Sequence, residues 1–367
     1  MQDRTPLPDT TENRNGTVRL VLRPSILKTP ALALLLFIVA GLTMEAAARW
    51  AFDHLELWSP SLGMRHRQFE VEWHRLLAFQ HDQAGPYCVF LGNSTVYRGI
   101  DPVIFSDWFE TVSGIPLECF TFGVQGLAPN SVGDVSQVII DQLSPALLVY
   151  GSDVPSLGKS AGGGPQSAVL ERAWFQHRIG NPSAEGWIIQ HSMLVRYLLL
   201  GHELLRGDPR DWLSTNHNIE ANTTARGFRD RDLSNLVPGQ IPEPRGEVLE
   251  VLAAFEVSQE QLDGLRRLAG LDGPTAVLVV EAPLHPGFFR FLGREEDDYL
   301  QAYGQLQAVL AEEGVPFLPS TAVVEIENAG WLNANHLNAR GAAVFSRWLA
   351  EQVAQLIATR QLIVRLP

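Results

Sequence analysis

The chain has 367 residues, of which 46% are hydrophobic and 19% are charged, and its formal net charge at pH 7 is −13. This length and composition are sufficient for one large domain or two modest ones with a sizeable buried core. Nucleic-acid binding is excluded, because it needs a clustered basic surface and the sequence has no such cluster.

Three segments precede the main domain in the sequence. Residues 1–29 are polar and predict a disordered cytoplasmic arm. Residues 30–49 begin with the uncharged run PALALLLFIVAGLTM and predict a transmembrane signal anchor, with Glu45 and Arg49 at its far interface. Residues 50–84 carry apolar side chains near helical spacing and predict a stalk or cap helix.

The membrane prediction also assigns a compartment. Basic residues before the apolar run favour a cytoplasmic N-terminus, which places the main domain in the periplasm or the extracellular space. A cleaved signal peptide is one alternative, because Ala46, Ala47 and Ala48 offer a small-residue cleavage site. A buried helix of a soluble protein is another, although nothing amphipathic interrupts the run.

From residue 86 onward, short apolar runs alternate with amphipathic stretches, which predicts βα units on a parallel sheet within a domain at 85–360. Residues 155–250 break this pattern and predict a helical and loop insertion. We expect strands at 87–92, 118–123, 145–151, 275–283 and near 315–324. We expect helices at about 167–178, 186–206 and 295–313, a helical pair at about 245–270, and helices after residues 101, 130 and 338.

Two cysteines, Cys88 and Cys119, fall within the first two predicted strands. They are expected to be buried core thiols. A disulfide is the alternative, since the two strands should be neighbours in an oxidising compartment.

Candidate catalytic residues lie at strand ends, where ligands bind in doubly wound sheets. Ser94 follows the first strand in the sequence GNS, at a turn that projects its hydroxyl from the sheet edge. His336 precedes the last helix and is a candidate base, and Asn333 can reach its other ring nitrogen. The alternatives are a helix N-cap or turn for the serine and simple packing for the histidine.

Further candidates follow the other strands. Gly123 and Gly126 allow backbone N–H groups to approach an oxyanion, or merely form a turn with positive φ. Asp153 stands where a donor to the oxyanion would fit, with an Asx turn as the alternative. His285 is either a substrate contact or an ordinary loop histidine. Arg226, Arg229 and Arg231 are candidate contacts for an anionic glycan, or belong to a solvated loop.

No metal site and no cofactor are expected from the sequence. Its ten histidines include no HExxH motif and no paired metal spacing. No phosphate-binding loop and no dinucleotide-binding glycine motif follows a predicted strand.

The order GNS, glycine loop, GSD and NANHLNARGA resembles the SGNH (GDSL-like) hydrolase family over about residues 85–155 and 272–357. The stretch GNSTVYRGIDPVIF and the ending HLNARGA are similar to its membrane-anchored branch, which includes the D-alanyl transfer protein of teichoic acid modification and the alginate O-acetylation proteins. The resemblance implies a flavodoxin-like three-layer fold. It also implies Ser94 as nucleophile, His336 as base, and oxyanion donors at the Ser94 amide and at Gly123 or Gly126.

The resemblance further implies an acyl esterase or O-acyltransferase that acts on cell-envelope polysaccharide or a related ester, and a membrane-bound acyltransferase as a partner. Two positions depart from the family pattern: Asn333 replaces an acid, and Asp153 replaces an asparagine. An asparagine cannot supply charge to an imidazolium, and an anionic aspartate would repel an oxyanion. Glu325 or Glu327 is the alternative source of the acid. The second hypothesis is a degenerate domain that binds a glycan or an envelope-assembly partner without turnover.

Overall fold

The computed structural model describes residues 24–55, 57–159, 168–230, 234, 236 and 247–365. The chain forms two compact units, Met1–Glu56 and Leu57–Pro367. The cytoplasmic arm predicted for residues 1–29 lies outside the described residues up to residue 23.

The first unit contains helix α1 (Pro24–His54), which extends beyond the predicted 30–49 segment at both ends. Its section Pro30–His54 is long and apolar enough to cross a membrane, a property that signal sequences share. Its apolar side chains are exposed, as lipid contact would require. Arg49 pairs with Glu45 one helical turn away, at 2.8 Å, so the two charges at the end of the apolar run offset each other.

The second unit is built on a five-stranded, wholly parallel sheet with the order β2-β1-β3-β4-β5. The strands are β1 (Tyr87–Gly92), β2 (Glu118–Gly123), β3 (Leu147–Ser152), β4 (Ala276–Glu281) and β5 (Phe317–Leu318). This is the flavodoxin-like order, in which β2 is added on one side of β1 and the later strands are added on the other side, so the strand order reverses between β1 and β3. The register pairs Gly92 with both Gly123 and Gly151, so these three strands end at one edge.

Helices connect and cover the strands. Before β4 they are α2 (Arg67–His81), α3 (Ser94–Gly99), α4 (Pro102–Ser113), α5 (Pro129–Leu143), α6 (Ala173–Arg178), α7 (Ala184–His191), α8 (Met193–Arg206), α9 (Pro209–Asn222), α10 (Glu247–Ala253) and α11 (Gln259–Ala269). After β4 they are α12 (Glu296–Glu312) and α13 (Ala339–Ala358), with the antiparallel pair β6 (Trp331–Asn333) and β7 (His336–Leu337) between them. Short 3₁₀ turns occupy Val154–Leu157, Pro286–Phe291 and Asn328–Gly330.

The sheet is the middle of three layers, because its side chains alternate between two cores. Val89 and Leu91 of β1 belong to the core shared with α5 and α11. Cys88 and Phe90 point the opposite way, into the core shared with α4 and α13. A strand that is buried on both faces consists of consecutive apolar residues. These apolar runs allowed the strands of this sheet to be predicted from the sequence. The predicted α/β fold with a parallel sheet is confirmed.

Residues 50–84 do not form one helix, since α1 ends at His54 and α2 begins at Arg67. Helix α2 contributes Phe69 and Trp73 to the core beside β2, where both rings meet Phe122 edge-on. It is therefore packed within the sheet domain.

The predicted insertion at 155–250 contains helices α6 to α9 and the start of α10. Where helices were predicted at about 167–178 and 186–206, the structure has α6 over Ala173–Arg178 and divides the second stretch into α7 and α8 at Ser192. Helix α9 lies in a segment that was predicted to be polar and without a helix. The pair Asp208-Pro209 could have predicted the start of α9, because the aspartate caps the helix and the proline takes its first position. The glycine run 162–164 and Arg231 lie outside the described residues.

The expectation of free core thiols at Cys88 and Cys119 was wrong, because the two form a disulfide. They are register partners on the adjacent strands β1 and β2, and their Cα atoms lie 4.5 Å apart, within the range that a disulfide spans. The bridge closes a loop with a sequence separation of 31 residues.

Replacing both cysteines by alanine is expected to lower the free energy of unfolding by about 3–4 kcal/mol, the loop-closure entropy for a loop of this length. Thermal or urea unfolding of the detergent-solubilised chain measures this, with and without reductant. The expectation is contradicted if the oxidised protein and the double variant unfold at the same midpoint.

Candidate active site

The turn that carries Ser94 is formed where α3 folds back onto the end of β1. A Cβ atom on Gly92 would lie 2.3 Å from Val96 Cγ2 and 2.9 Å from the Gly151 carbonyl oxygen, so only glycine permits this close approach. Asn93 caps the helix, since its Oδ1 accepts the Thr95 backbone N–H at 2.8 Å. Ser94 is consequently the first residue of α3 and stands at the carboxyl edge of the sheet.

His336 meets Ser94 across a separation of 242 residues in sequence. Its Nε2 lies 2.8 Å from Ser94 Oγ, which is hydrogen-bond distance. The strands β6 and β7 pair Asn333 with His336, and Asn333 Oδ1 lies 3.1 Å from His336 Nδ1. The structure thus brings together the three residues that the sequence assigned to catalysis.

The hydrogen bonds around Asn333 determine which nitrogen of His336 carries the proton. The backbone N–H of Asn335 donates to Asn333 Oδ1 at 3.1 Å, so the atom that faces His336 is the amide oxygen. An oxygen accepts, and His336 Nδ1 must therefore be the protonated nitrogen. Nε2 then keeps its lone pair and accepts the hydroxyl proton of Ser94, the arrangement that a general base needs.

The electrostatic surroundings of His336 favour its neutral form. Burial, followed by the positive charges of Arg98 and Arg229, lowers the pKa of the imidazole to about 4. Glu325 and Glu327, the alternative acids, are exposed, and among the described contacts the Nδ1 partner is Asn333. The base is therefore neutral at physiological pH, and among the described residues no carboxylate is hydrogen-bonded to its ring.

Asp153 lies behind the Ser94 turn. Its Oδ2 accepts from Asn93 Nδ2 at 2.7 Å, and its Oδ1 accepts from the Ser156 backbone N–H at 2.7 Å. Only 4% of the residue is exposed, and it does not line the cavity at Ser94. The structure places the carboxylate where it orients Asn93, which in turn caps α3.

The loop after β2, which carries Gly123 and Gly126, is held by α2. Gln68 Nε2 donates to the Gly123 carbonyl at 2.9 Å, and Gln68 Oε1 accepts from the Gln125 backbone N–H at 3.0 Å. His66 Nε2 lies 3.1 Å from the Gln125 carbonyl. Gly126 has a φ of +75°, which favours glycine. The contacts of Gln68 and His66 with this loop were not predicted, because no local sequence motif links them to residues so distant in the chain.

His285 supports the hairpin that carries Asn333 and His336. Its backbone N–H donates to the Ala334 carbonyl at 3.0 Å, and its Nε2 lies 3.0 Å from Asn328 Oδ1. Its ring meets Trp331 edge-on. His285 does not line the cavity at Ser94.

A cavity of about 310 Å³ opens at Ser94. It is lined by Ser94, Arg98, Gln125, Leu332, Asn333 and His336. A pocket of this size accepts a small acyl group with part of its alcohol. A reacting carbonyl placed there contacts the serine hydroxyl and lies beside its base.

No protein-family model and no curated protein matches the sequence. Several solved structures are similar to it in fold. A carbohydrate acetylesterase from Sinorhizobium meliloti has 10% sequence identity and a TM-score of 0.36, covering 74% of this chain and 99% of its own. The native M. smegmatis aryl esterase has 12% identity and a TM-score of 0.34, with the same coverage. A lipase/acylhydrolase from Enterococcus faecalis has 12% identity and a TM-score of 0.32, covering 77% of this chain and 100% of its own.

These neighbours are esterases. The chemistry assigned to this chain nevertheless rests on its own residues at the end of β1 and in the β6–β7 hairpin.

Replacing Asp153 by alanine is expected to lower the rate of Ser94 acylation by roughly 100-fold, because Asn93 loses the acceptor that fixes the nucleophile turn. The free energy of unfolding should fall by about 1–3 kcal/mol, since buried donors lose their partner. Rates of labelling by a fluorophosphonate, together with thermal unfolding, measure both effects. Asp107→Ala, at an exposed site on α4, is the matched control. An unchanged labelling rate in folded Asp153→Ala would show that the carboxylate does not position the turn.

Proposed function

We propose that this chain is an SGNH-type serine acyl esterase or O-acyltransferase, anchored in the membrane by α1, that acts outside the cytoplasm on cell-envelope polysaccharide or a related ester. The observation that carries the proposal is the 2.8 Å contact between Ser94 Oγ and His336 Nε2, with Nδ1 oriented by Asn333. The Ser94 hydroxyl is activated as a nucleophile when it donates to a neutral imidazole whose other nitrogen is oriented by an acceptor, here Asn333.

In the proposed reaction, Ser94 Oγ attacks the acyl carbonyl carbon while His336 Nε2 takes the hydroxyl proton. The oxyanion is bound by the backbone N–H of Ser94 and by the glycine loop after β2. The C–O bond to the alcohol breaks, and Nε2 returns the proton to the departing oxygen. Water or a sugar hydroxyl then attacks the acyl-serine, which gives hydrolysis or transfer, respectively.

The proposal also includes an oxidising compartment for the domain and, for acyl transfer, a membrane-bound partner. Helix α1 supports an anchor by its length and apolar surface. The Cys88–Cys119 disulfide supports an oxidising compartment, since cytosolic disulfides are rare. An acyl donor on the cytoplasmic side would have to cross the membrane, so transfer from such a donor requires a membrane-bound acyltransferase as a partner. Hydrolysis requires none.

Labelling with a fluorophosphonate probe tests the nucleophile. The detergent-solubilised chain is expected to be labelled at Ser94, and Ser94→Ala should abolish the signal. His336→Ala should slow labelling by at least about 100-fold, the usual contribution of a general base. Ser113→Ala, in α4 and remote from the cavity, is the matched control and should label normally. Absence of labelling in the folded chain, beside an active serine esterase, would overturn the proposal.

The second candidate function is non-catalytic binding of a glycan or an envelope-assembly partner. It is favoured by Asn333 in place of an acid and by the lowered pKa of His336. Under this hypothesis Ser94→Ala leaves the cellular phenotype intact, whereas changes in the 155–250 insertion abolish it. A Ser94→Ala strain that reproduces the deletion phenotype rules it out.

Replacing Asn333 by aspartate is expected to raise the turnover number. A carboxylate against Nδ1 raises the pKa of His336 from about 4 and stabilises the imidazolium in the transition state. The gain should be at least about tenfold, within the roughly 10⁴-fold span that the reverse change causes in a serine protease. Because the neutral imidazole is the active form, activity of the parent chain is lost as pH falls through about 4, and that of the variant at higher pH.

A pH–rate profile with an acetyl ester measures both shifts. Asn335→Asp, which adds the same charge at the neighbouring turn, is the matched control. If Asn333→Asp leaves the turnover number and the acid limb unchanged, Asn333 does not act through the imidazole.

A further inference from the structure

Helix α8 carries more apolar side chains than the domain buries. Most of its fourteen residues are apolar, yet within this helix only Leu200 is buried. Leu198 is 63% exposed and Leu205 is 81% exposed, and a spacing of seven residues places both on one face of the helix. Apolar side chains left together in solvent are typical of a surface that meets a partner or a membrane.

A cavity of about 580 Å³ opens beside the same helix. Helices α8 and α9 contribute His202, Glu203, Arg206 and Trp212 to its lining. The other charged side chains of the lining are Arg65, Arg67 and Arg172. Among the described residues, the lining therefore holds four arginines and one carboxylate.

Arg67 and Glu203 are held by other parts of the protein. Arg67 Nη1 lies 3.3 Å from the buried Glu70, and its Nη2 lies 4.0 Å from Glu220, so the positive charge of Arg67 is paired. Glu203 Oε1 lies 2.6 Å from Ser61 Oγ, in the loop before α2. Arg67 is therefore satisfied without a ligand, and Glu203 can offset one further cation at most.

The other three arginines of the lining are Arg65, Arg172 and Arg206. In the part of the chain that the structure describes, their side chains take part in no ion pair and no hydrogen bond. The Nε atom of Arg172 is buried without a partner there. Three guanidinium groups against the one carboxylate of Glu203 leave the cavity positive, in a chain whose net charge is −13. Guanidinium groups bind phosphate oxygens through paired, charge-assisted hydrogen bonds, so the cavity suits a phosphate group.

Trp212 connects this cavity to the chain that follows α1. The centroid of its ring lies 5.3 Å from that of Trp58, and the guanidinium of Arg67 lies over it at 5.5 Å. Trp58 comes four residues after His54, the last residue of α1, and four residues extend at most about 14 Å. Tryptophan is enriched where proteins meet lipid headgroups. A few residues therefore link the wall of the cavity to the end of the proposed membrane-spanning helix.

We propose that this cavity binds the phosphate group of a membrane phospholipid, while Leu198 and Leu205 enter the lipid layer beside it. The inference rests on the membrane anchor of the proposed function and adds a second contact between the chain and the bilayer. A soluble phosphate would use the arginines but leave the two leucines in water, whereas a lipid in a bilayer uses both.

This second contact has a consequence for the Ser94 cavity. A domain attached through one flexible link can turn freely, whereas a domain held at two points keeps a constant height above the membrane. The Ser94 cavity would then reach esters at one fixed distance from the bilayer. The contact with lipid thus restricts which esters the site meets without changing the reaction itself.

Leu205→Cys in the full chain, labelled with a bimane maleimide, tests the contact with lipid. The native Cys88 and Cys119 are bonded to each other and do not react. In nanodiscs of phosphatidylcholine that contain a lipid spin-labelled near its headgroup, bimane at residue 205 should be quenched at least about twofold, and more strongly as phosphatidylglycerol is added. Leu300→Cys, an exposed leucine on α12, is the matched control and should not be quenched.

Arg172→Gln and Arg206→Gln test the phosphate site, with the bimane moved to Leu198→Cys so that it stands clear of both arginines. Each variant should raise the phosphatidylglycerol fraction that gives half of the quenching by about fivefold, the effect of one arginine near an anionic lipid surface. A merely structural role would lower the unfolding midpoint and leave this fraction unchanged. Arg266→Gln, at an exposed position on α11, is the control and should change neither.

Bimane at Leu36→Cys, within the apolar run of α1, makes the failures distinguishable. If lipids spin-labelled in their acyl chains quench residue 36 but residue 205 is not quenched, this inference alone is overturned, whatever else covers α8. Quenching at 198 and 205 that the arginine variants leave unchanged overturns it too, as does binding of inorganic phosphate without any quenching. If residue 36 is not quenched, the anchor of the proposed function fails and this inference fails with it.

Discussion

The hydrogen bond between His336 Nδ1 and Asn333 Oδ1 determines what the rest of the site can do. The Asn335 N–H orients the amide oxygen, the amide oxygen places the ring proton on Nδ1, and the remaining lone pair faces Ser94. Each step follows from which atoms can donate and which can accept. A neutral acceptor fixes the geometry of the base as well as an acid would. It does not stabilise the imidazolium form of His336 by charge. Asn333 therefore orients the ring without the electrostatic stabilisation that a carboxylate would add.

The nucleophile depends on close packing as much as on hydrogen bonds. Helix α3 approaches the ends of β1 and β3 so closely that Val96 would collide with any side chain at Gly92 or Gly151. Behind this contact, the buried Asp153 holds Asn93, and Asn93 caps the helix. The Asp153 carboxylate, which would repel an oxyanion, does not line the cavity and instead holds the turn that carries Ser94.

Much of this arrangement could be predicted from the sequence, for physical reasons. The first two strands are buried on both faces and flanked by glycine, so their bounds at 87–92 and 118–123 were read directly. Ser94 and His336 could be predicted to lie together, because the loops at the carboxyl ends of parallel strands meet at one edge of the sheet. Three features could not be predicted from the sequence: the direction of the Asp153 carboxylate, the hydrogen bonds of Gln68 to the glycine loop, and the Cys88–Cys119 bridge. Each depends on how a side chain is oriented between elements that are distant in sequence.

The protonation of His336 depends mainly on charges that lie close to its ring. The surface of the protein is strongly acidic, but charges separated by more than about 8 Å of physiological solution are largely screened. Burial also makes His336 sensitive to what lies inside the cavity, where screening is weak. Among the described residues, Arg98 and Arg229 are the charged groups that act on the pKa of His336, and both lower it. A change of charge inside the cavity therefore alters the pKa of the imidazole more strongly than a change on the solvated surface does.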